Sequence, residues 1–217
     1  DQPYLTPVAT NTKINMGDGR DTLIANGLGN KGNFENRVSD LKNVDIDMGD
    51  GDIKHVQINS GKVDTINITT GSKNDRIEIQ GDSLLEGKNN INTGEGEDNL
   101  TIDNSEIRGT ATKKTNINTG ADRDDVAILD STLDHTEIDT GSGPDEVTIR
   151  NSTLKNTKIL TGDGADRVYI EDEVTLDGTI NTGADDDEVN IKGNITAATQ
   201  ANIKTGAGSD TINIDSG

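Results

Sequence analysis

The chain contains 217 residues with a formal net charge of -20, and only 29% of them are hydrophobic and 1% aromatic. This composition argues against a conventional globular core, and the negative charge argues against non-specific binding of nucleic acid while favouring cations or basic partners. The chain has no cysteine, which is compatible with a secreted protein, and no stretch approaches the roughly 20 apolar residues that a membrane span needs.

The beginning of the chain departs from the regular pattern that follows it. Residues 1–13 lack the repeated motif described below and are predicted to form a cap or lead-in. The first two anchor glycines of the repeat, Gly17 and Gly49, are farther apart than any later pair. Residues 26–43 are therefore predicted to loop out of the fold as an insertion.

The rest of the chain is built from one recurring phrase, for example Thr-Gly-Asp-Gly-Ala-Asp-Arg-Val-Tyr-Ile at residues 161–170, repeated at intervals of mostly 21 to 26 residues. Each anchor glycine follows an isoleucine by three residues and in most copies precedes apolar residues by six and eight. A spacing of two between apolar, mostly β-branched residues is the periodicity of a strand. A repeat of this length indicates one supersecondary unit stacked along an axis. The anchors are Gly17, Gly49, Gly71, Gly94, Gly120, Gly141, Gly162, Gly183 and Gly206.

A second, weaker apolar signal lies between the strands of successive copies. Ile107, Leu133 and Leu154 follow pairs such as Asn104-Ser105, and Asx-Ser pairs are turn formers. Each coil is therefore predicted to contain three short strands, with inward side chains stacked at the ~4.8 Å spacing of neighbouring strands. The predicted fold class is all-β, a right-handed parallel β-helix of about nine coils. Residues 1–217 are predicted to form a single elongated domain, a fragment of a longer repeat protein.

The alignment of the copies has one irregularity and one independent check. In the second copy the apolar residues begin at Val56, one place late, which predicts a bulge, and the aspartate assigned to its turn is Asp52. The check comes from outward positions that play no part in the alignment. Five residues after the anchor, successive coils carry Glu146, Arg167 and Glu188, and this alternation of sign favours parallel strands in register.

An aspartate stands four residues after eight of the nine anchor glycines. In stacked coils these carboxylates form a file about 5 Å apart, where two unit charges repel by roughly 0.9 kcal/mol in water and about 3–4 kcal/mol at an effective dielectric of 20. A hard divalent cation bound by carboxylate and carbonyl oxygens would compensate this repulsion, so calcium is the predicted cofactor. The predicted metal ligands are Asp21, Asp75, Asp98, Asp124, Asp145, Asp166, Asp187 and Asp210, with Asp163 and Asp185 from the same turns.

The phrases at residues 161–169 and 205–213 resemble the nonapeptide repeat of secreted bacterial RTX proteins. That family's Gly-Gly-x-Gly-x-Asp turns bind calcium in a parallel β-roll. Here Thr or Met replaces the first glycine, each coil has a single such turn, and Asp122 and Asp185 replace the second glycine in two coils. The resemblance implies an RTX-like calcium-binding edge on a wider β-helix, within a secreted bacterial exoprotein or adhesin.

Two simpler interpretations of the glycine turn stay open. Each aspartate can accept hydrogen bonds within its own turn, as Asx turns do, with no metal bound. The threonine before each anchor can form a stacked ladder facing the turn, an interpretation favoured over an ice-binding array because the neighbouring positions are mixed. This column consists of Thr70, Thr93, Thr119, Thr140, Thr161, Thr182 and Thr205.

Some β-helices are polysaccharide lyases or hydrolases, so binding or degradation of carbohydrate is the main alternative function. Such an enzyme needs clustered carboxylates on an exposed strand face, and the outward column that begins at Glu78 has no such cluster. His55 and His135 lie in different coils, and an acid pair such as Asp124 and Asp125 joins a motif residue to an outward one. No catalytic residue is predicted, and the chain is not expected to be an enzyme.

The predicted function is structural or adhesive, as an extracellular domain that is secreted or on the bacterial cell surface. Its predicted partners are calcium ions and a host-surface or matrix ligand, protein or glycan, presented with loops such as residues 26–43. Nucleic acid and a membrane span are not expected. Open strand edges at the ends of the stack predict end-to-end association unless they are capped or continued. A metal-free structural stalk is the second alternative.

Overall fold

The computed structural model of the chain describes residues 9–26, 40–59, 61–197 and 199–215, and its regular elements are all β-strands. No helix able to cross a membrane occurs in these ranges. The strands are β1 (Ala9–Asn15), β2 (Thr22–Asn26), β3 (Leu41–Asp47), β4 (His55–Asn59), β5 (Lys62–Thr69), β6 (Arg76–Gln80), β7 (Leu84–Glu86), β8 (Asn90–Asn92), β9 (Asn99–Asp103), β10 (Glu106–Arg108), β11 (Thr115–Asn118), β12 (Asp125–Leu129), β13 (Thr132–Asp134), β14 (Thr136–Asp139), β15 (Glu146–Arg150), β16 (Thr153–Leu160), β17 (Arg167–Asn181), β18 (Glu188–Thr196), β19 (Ala201–Lys204) and β20 (Thr211–Asp215).

The strands stack in parallel, each on the strand at the same position of the next coil, which confirms the predicted parallel β-helix. β12, for example, lies between β9 and β15, with Val126 opposite Leu100 and Val147. The stack makes about eight turns. In its middle each coil contains three short strands, as predicted, such as β9, β10 and β11. Further along, the strand pairing continues through the corners, so that β17 runs through 15 residues although Asp172 within it has a φ of +59°.

The core is a narrow apolar seam inside the stack. In β12, Val126 and Ile128 are fully buried, while Ala127 between them lies on the outer face, as the period-two pattern predicts. Ile107 and Leu133 from the weaker apolar signal are fully buried as well. Each side chain packs on its equivalent one coil away, so a burial that stabilises by about 1.5–3 kcal/mol is repeated along the stack.

The first coil begins earlier than the sequence predicts. β1 starts at Ala9, within the segment assigned to a cap or lead-in, and Ala9 pairs with Leu41 of β3. The predicted insertion is shorter at both ends, since Asn26 closes β2 and residues 41–43 open β3. Residues 1–8 and 27–39 lie outside the described residues.

The bulge in the second copy lies in its glycine turn. His55 stands opposite Thr22 of the coil before and Arg76 of the coil after, so the strand itself is in register. The residue before His55, Lys54, therefore occupies the position that Asp21 and Asp75 hold in the adjacent coils. The assignment of Asp52 to this column is wrong, because the extra residue in the turn moves Asp52 to an exposed position.

The corners and outer columns confirm the register. The turn residues Asn104 and Asn151 have φ of +45° and +48°, the left-handed conformation that asparagine tolerates. The Asn151 amide donates to the Asp130 carboxylate of the preceding coil across 3.2 Å. On the outer face Arg167 pairs with Glu188 of the next coil, 3.6 Å away. In these two contacts an amide and an opposite charge face a carboxylate, which is favourable between neighbouring strands, although Asp125 stands directly opposite Glu146 in the same outer column.

The anchor glycines let successive turns approach each other closely. A Cβ on Gly162 would stand 1.9 Å from the carbonyl oxygen of Gly141, and Gly162 has a φ of +99°. We expect Gly162→Ala to lower the free energy of unfolding by about 3 kcal/mol or more, since strain at this φ and a clash between coils act together. Urea denaturation of the variant and the wild type measures this loss.

Gly17 provides the matched control for this substitution. It has a similar left-handed φ of +79°, but a Cβ at Gly17 would meet nothing within 4 Å. We expect Gly17→Ala to cost only the backbone strain, roughly 1–2 kcal/mol. Equal losses in the two variants would contradict a role for these glycines in coil-to-coil packing.

Candidate functional site: the internal aspartate column

The motif aspartates form a column on the inside of the stack. Each stands at the end of the glycine turn, directly before the strand that follows it, so its side chain enters the interior with the apolar residues. Asp124 is 0% exposed and Asp145 1% exposed. Asp21 and Asp210, at the two ends of the column, are half-buried. The structure therefore brings the eight predicted aspartates into one file, with Lys54 inserted between Asp21 and Asp75.

Each carboxylate joins its coil to the coil before it. The Asp145 Oδ1 atom accepts a hydrogen bond of 2.8 Å from the backbone N–H of Asp124, and Asp166 Oδ1 accepts one of 2.8 Å from Asp145. The same bond recurs from the Lys54 N–H to that of Asp187, with lengths between 2.7 and 3.1 Å. The metal-free interpretation correctly makes the aspartate an acceptor, but the backbone N–H that donates to it belongs to the neighbouring coil and not to the same turn.

The threonine column runs beside the carboxylates and is also internal. Thr161 is 0% exposed, and its hydroxyl donates to the carbonyl oxygen of Thr182 across 2.9 Å. The Thr140 hydroxyl lies 3.1 Å from the Thr161 carbonyl oxygen and 2.6 Å from Asp145 Oδ2. Because a hydroxyl has one proton, it can satisfy one of these acceptors at a time. The buried column is a ladder, as expected, and not a surface array for ice.

Most of these carboxyl groups have a second oxygen without a hydrogen-bond donor. The Oδ2 atoms in question belong to Asp75, Asp98, Asp124, Asp166 and Asp187. Burial raises the pKa of Asp98 and of Asp145 to about 7, although a nearby threonine hydroxyl and a backbone N–H oppose this increase, and neighbouring carboxylates raise the pKa of both further. Burial likewise raises the pKa of Asp124 and of Asp166 to about 6. The interior of the stack thus keeps these aspartates protonated at pH values well above those at which an exposed aspartate ionises.

Lys54 is the cation of this column. Its side chain is 1% exposed, and its ammonium lies 2.9 Å from Asp21 Oδ2 and 3.1 Å from the Gly17 carbonyl oxygen. It also donates to the carbonyl oxygen of Gly19. On the other side, the Lys54 N–H donates to Asp75 Oδ1. Sequence reasoning missed this residue, although counting back two places from Val56 would have found it.

The calcium prediction requires six to eight oxygen ligands around one ion. Asp163 and Asp185 do not supply them, because both are exposed on the outside of the turn while the column lies inside. The turn carbonyls are engaged as well, for example Gly141 O, which accepts from the Asp163 N–H across 3.0 Å. Within the described ranges no group of three or more acidic, histidine or cysteine side chains is arranged to hold a metal. The described side chains do not form a calcium site by themselves, and calcium binding stays a prediction.

The residues weighed for catalysis are dispersed. His55 Nε2 lies 2.9 Å from Glu78 Oε2, in a hydrogen bond on the outer face, and Arg76 lies 2.6 Å from the other oxygen of Glu78. Asp124 points inward and Asp125 outward on consecutive residues, so this pair does not form a carboxylate dyad.

No protein-family model, curated protein or solved structure matches this chain. The parallel β-helix therefore follows from the structure itself, in the stacked register of its strands. The likeness to RTX repeats depends on the glycine-aspartate phrases alone, and the calcium site, secretion and adhesion that it implies remain proposals.

Proposed function

We propose that this chain is a structural β-helix, a stiff acidic stalk that folds without metal and forms part of a secreted or cell-surface protein. The observation that carries the proposal is the internal hydrogen-bond column, in which a carboxylate of each coil holds the backbone of the coil before it. Seven such bonds join successive coils from Lys54 to Asp210. A stack tied in this way resists shear between coils, which is what a spacer requires.

The column also favours a unique register. Buried polar groups must find their partners, and an unpaired buried donor or acceptor costs about 1–3 kcal/mol. A slip of the strands by one residue would direct the aspartates outward and leave the buried N–H groups unpaired. Because the penalty recurs on every coil, one stacking register is strongly preferred. This supports a rigid spacer rather than a flexible linker.

A calcium-supported stalk is the second candidate, favoured by one observation. Five buried aspartates have an Oδ2 atom without a hydrogen-bond donor, and a cation is one way to satisfy such an atom. The proton is the other way, and it needs no rearrangement of the turn. Secretion and a host or matrix ligand are supported only by the resemblance to RTX repeats, so they extend either candidate without deciding between them.

Thermal melts followed by circular dichroism decide between these candidates. The wild type is melted in excess chelator, with calcium titrated, and with magnesium as the control for non-specific binding to an acidic chain. We expect a folded β-structure in chelator and midpoints that differ by less than about 2 °C between calcium and magnesium, which is under ~1 kcal/mol for a domain of this size.

Asp166→Asn and Asp163→Asn form the matched pair for this experiment, one inside the column and one on its outside. A chain that is unfolded in chelator and folds with calcium would contradict the metal-free stalk, and loss of that calcium effect in Asp166→Asn alone would support the calcium candidate. Release of sugar fragments from polysaccharides by the wild type would contradict a structural role.

A further inference from the structure

We infer that one side of the stack binds an acidic polysaccharide, a chain of sugars bearing carboxylate or sulfate groups. The binding groups are six outward side chains on β5, β8 and β11, here termed the amide surface: Asn67, Thr69, Asn90, Asn92, Asn116 and Asn118. These strands pair with β3 on one side and with β14 on the other, so the surface lies in the middle of the stack and not at an end. The inference goes beyond the proposed stalk, because a rigid spacer does not need a ligand.

The pairing register arranges the six side chains in two columns. In the first column Asn90 lies between Asn67 and Asn116, and the other three residues form a second column beside it. Successive residues of a column are about 4.8 Å apart, and the two columns are separated by two residues of a strand, about 6.6 Å. None of the six positions is acidic, although the chain contains 40 aspartates and glutamates. The surface is therefore a neutral, regular array of hydrogen-bonding groups.

A hydrogen-bond ladder fixes the orientation of the amides in the first column. The Asn67 amide nitrogen donates to Asp45. The Asn90 nitrogen donates to the Asn67 oxygen across 2.7 Å, and the Asn116 nitrogen donates to the Asn90 oxygen across 3.2 Å. Because a carboxylate only accepts hydrogen bonds, Asp45 sets the same direction for every amide that follows. Among the described residues no donor reaches the Asn116 oxygen, which faces Glu137, so this acceptor is left for a ligand hydroxyl.

The second column is open to a ligand along its whole length. Thr69, Asn92 and Asn118 are exposed, and in the described part of the chain their side chains form no hydrogen bond. An asparagine amide offers two donors and one acceptor oxygen, and a threonine hydroxyl offers both functions. Sugar hydroxyls also donate and accept, so they can pair with every group of this column.

An exposed hairpin borders the amide surface directly before β11. The anchors Gly94 and Gly120 are 26 residues apart, whereas Gly120 and Gly141 are 21 apart, and the additional residues form this hairpin. Thr110 and Lys113 pair in it, with each backbone N–H donating to the other carbonyl oxygen at 2.9 and 3.0 Å. Insertions in repeat proteins map to loops on one face, often the binding face.

Three exposed lysines lie along this border, which is here termed the lysine edge. Lys113 and Lys114 belong to the hairpin, and Lys88 lies at the same corner of the coil before. Lys88 and Lys114 each stand two residues before an asparagine of the first column, Asn90 or Asn116, with one buried residue between them. Alternate residues of an extended chain point to the same side, so these two ammonium groups continue the rows of the amide surface.

The lysine edge is a positive region on an acidic chain. Within the described ranges no carboxylate lies at ion-pair distance from any of its three lysines. Neighbouring cations are already paired, since Arg108 lies 2.6 Å from Glu106 and Lys158 lies 3.4 Å from Glu137. Three uncompensated ammonium groups are a local exception in a chain with a net charge of -20. They favour a ligand with anionic groups.

The carboxylates on the adjacent coils determine how such a ligand lies. Asp47 stands next to Thr69 on one side of the amide surface, and Asp139 stands next to Asn118 on the other. They repel an anionic chain that runs along the axis of the stack. The polysaccharide therefore lies along the strands, with an acidic group over the lysine edge and uncharged hydroxyls over the asparagines.

An acidic peptide fits this surface less well than a polysaccharide. The centres of protein interfaces are enriched in aromatic and other apolar anchors. In the described residues the large exposed apolar side chains all lie away from the amide surface: Met16, Ile24, Ile53, Ile212 and Ile214. A surface of amides and ammonium groups without such anchors matches a ligand of hydroxyls and acids.

Nuclear magnetic resonance of the whole isotope-labelled chain, in chelator, tests the inference. The probes are short oligosaccharides of hyaluronan, which carries carboxylates only, of heparin, which adds sulfates, and of neutral dextran, together with a polyglutamate peptide. We expect an acidic oligosaccharide to shift the side-chain amide signals of Asn92 and Asn118, with a Kd at least about tenfold lower than those of dextran and polyglutamate. Binding of heparin alone would identify sulfate as the recognised group.

Two double variants remove the two parts of the surface separately. Lys113→Ala with Lys114→Ala removes charge from the lysine edge, and Asn92→Asp with Asn118→Asp places carboxylates in the second column. We expect each double variant to raise the Kd for the acidic oligosaccharide at least about tenfold. Circular dichroism melts check that both remain folded, as exposed positions allow.

Lys73→Ala with Lys192→Ala is the matched control, since it removes two exposed lysines elsewhere and changes the net charge by the same amount. Its Kd is expected to stay within about twofold of the wild type. The inference is overturned if neither acidic oligosaccharide shifts these signals at millimolar concentration, if polyglutamate binds as tightly, or if binding survives in both double variants. None of these results would affect the metal-free stalk, which is tested by the melts in chelator.

Discussion

Replacing Lys54 by methionine is expected to lower the free energy of unfolding by about 3–5 kcal/mol, the usual cost of removing one partner from a buried ion pair. The ammonium is the donor for Asp21 Oδ2 and for the carbonyl oxygens of Gly17 and Gly19, and it is 1% exposed. Methionine fills a similar volume but leaves all three acceptors without this donor. Urea denaturation gives the loss, provided that the m-value is unchanged.

Two further variants separate this effect from a general loss of lysine. Lys42→Met removes a half-exposed lysine that lies 3.6 Å from Asp64, and we expect a change of under about 1 kcal/mol. Adding Asp21→Asn to Lys54→Met removes the uncompensated charge and is expected to recover a substantial part of the stability. If Lys54→Met and Lys42→Met have similar effects, Lys54 is not the counter-ion of the column.

The stability of the chain in chelator is expected to fall as the pH rises from about 4 to about 8. Burial raises the pKa of Asp98 and of Asp145 to about 7 in the folded chain, above the usual aspartate pKa of 3.8. Between these two pH values the folded chain binds more protons than the unfolded chain, so raising the pH favours unfolding. The contribution is complete below pH 3.8 and is lost as the pH passes the folded pKa. Neighbouring aspartates share these protons, so the transition is broad.

Asp145→Asn is expected to remove part of this pH dependence. The amide oxygen can still accept the hydrogen bond from the Asp124 N–H, and the amide nitrogen can donate to the Thr140 hydroxyl, without any charge to bury. We expect a gain of about 2 kcal/mol at pH 8, or ~4–8 °C in the melting midpoint, and little change at pH 4. Thermal melts across this pH range measure both quantities.

Asp163→Asn is the control, since it removes an equal charge from the exposed side of a glycine turn. A change within about 0.5 kcal/mol at every pH is expected for such a surface position. A destabilised Asp145→Asn at pH 8 would contradict protonation of the column. It would favour a role in which the ionised carboxylate is required, as in metal binding.

The aspartate column is a buried polar network that specifies the register of the coils. The carboxyl groups do not make the interior more stable than an apolar interior would be, because their raised pKa values reflect the unfavourable burial of a charged group. Their contribution is a directional hydrogen bond between adjacent coils at the same position in each turn. The apolar ladder alone stacks any isoleucine on any other, whereas the column aligns the turns and holds the backbone N–H groups of each coil.

The sequence by itself determined the repeating architecture. The period-two spacing at positions such as Val126 and Ile128 predicted both the strands and their inward faces, because in a strand alternate side chains point to opposite sides. The copies of the anchor glycine predicted the coils, and the alternating charges at Glu146 and Arg167 predicted their register. This information is local and is repeated many times, so a single irregular copy does not obscure it.

Only the tertiary structure decided what the polar residues of the turn do. Asp145 has the same spacing in the sequence whether its carboxylate meets a calcium ion outside or a backbone N–H of the adjacent coil inside. Lys54 enters the column because an extra turn residue shifts it by one place, and its partners Gly17 and Asp21 belong to a different coil. Spacing along the chain fixes which residues share a column, whereas the partner of a buried polar group depends on contacts between coils that lie far apart in the sequence.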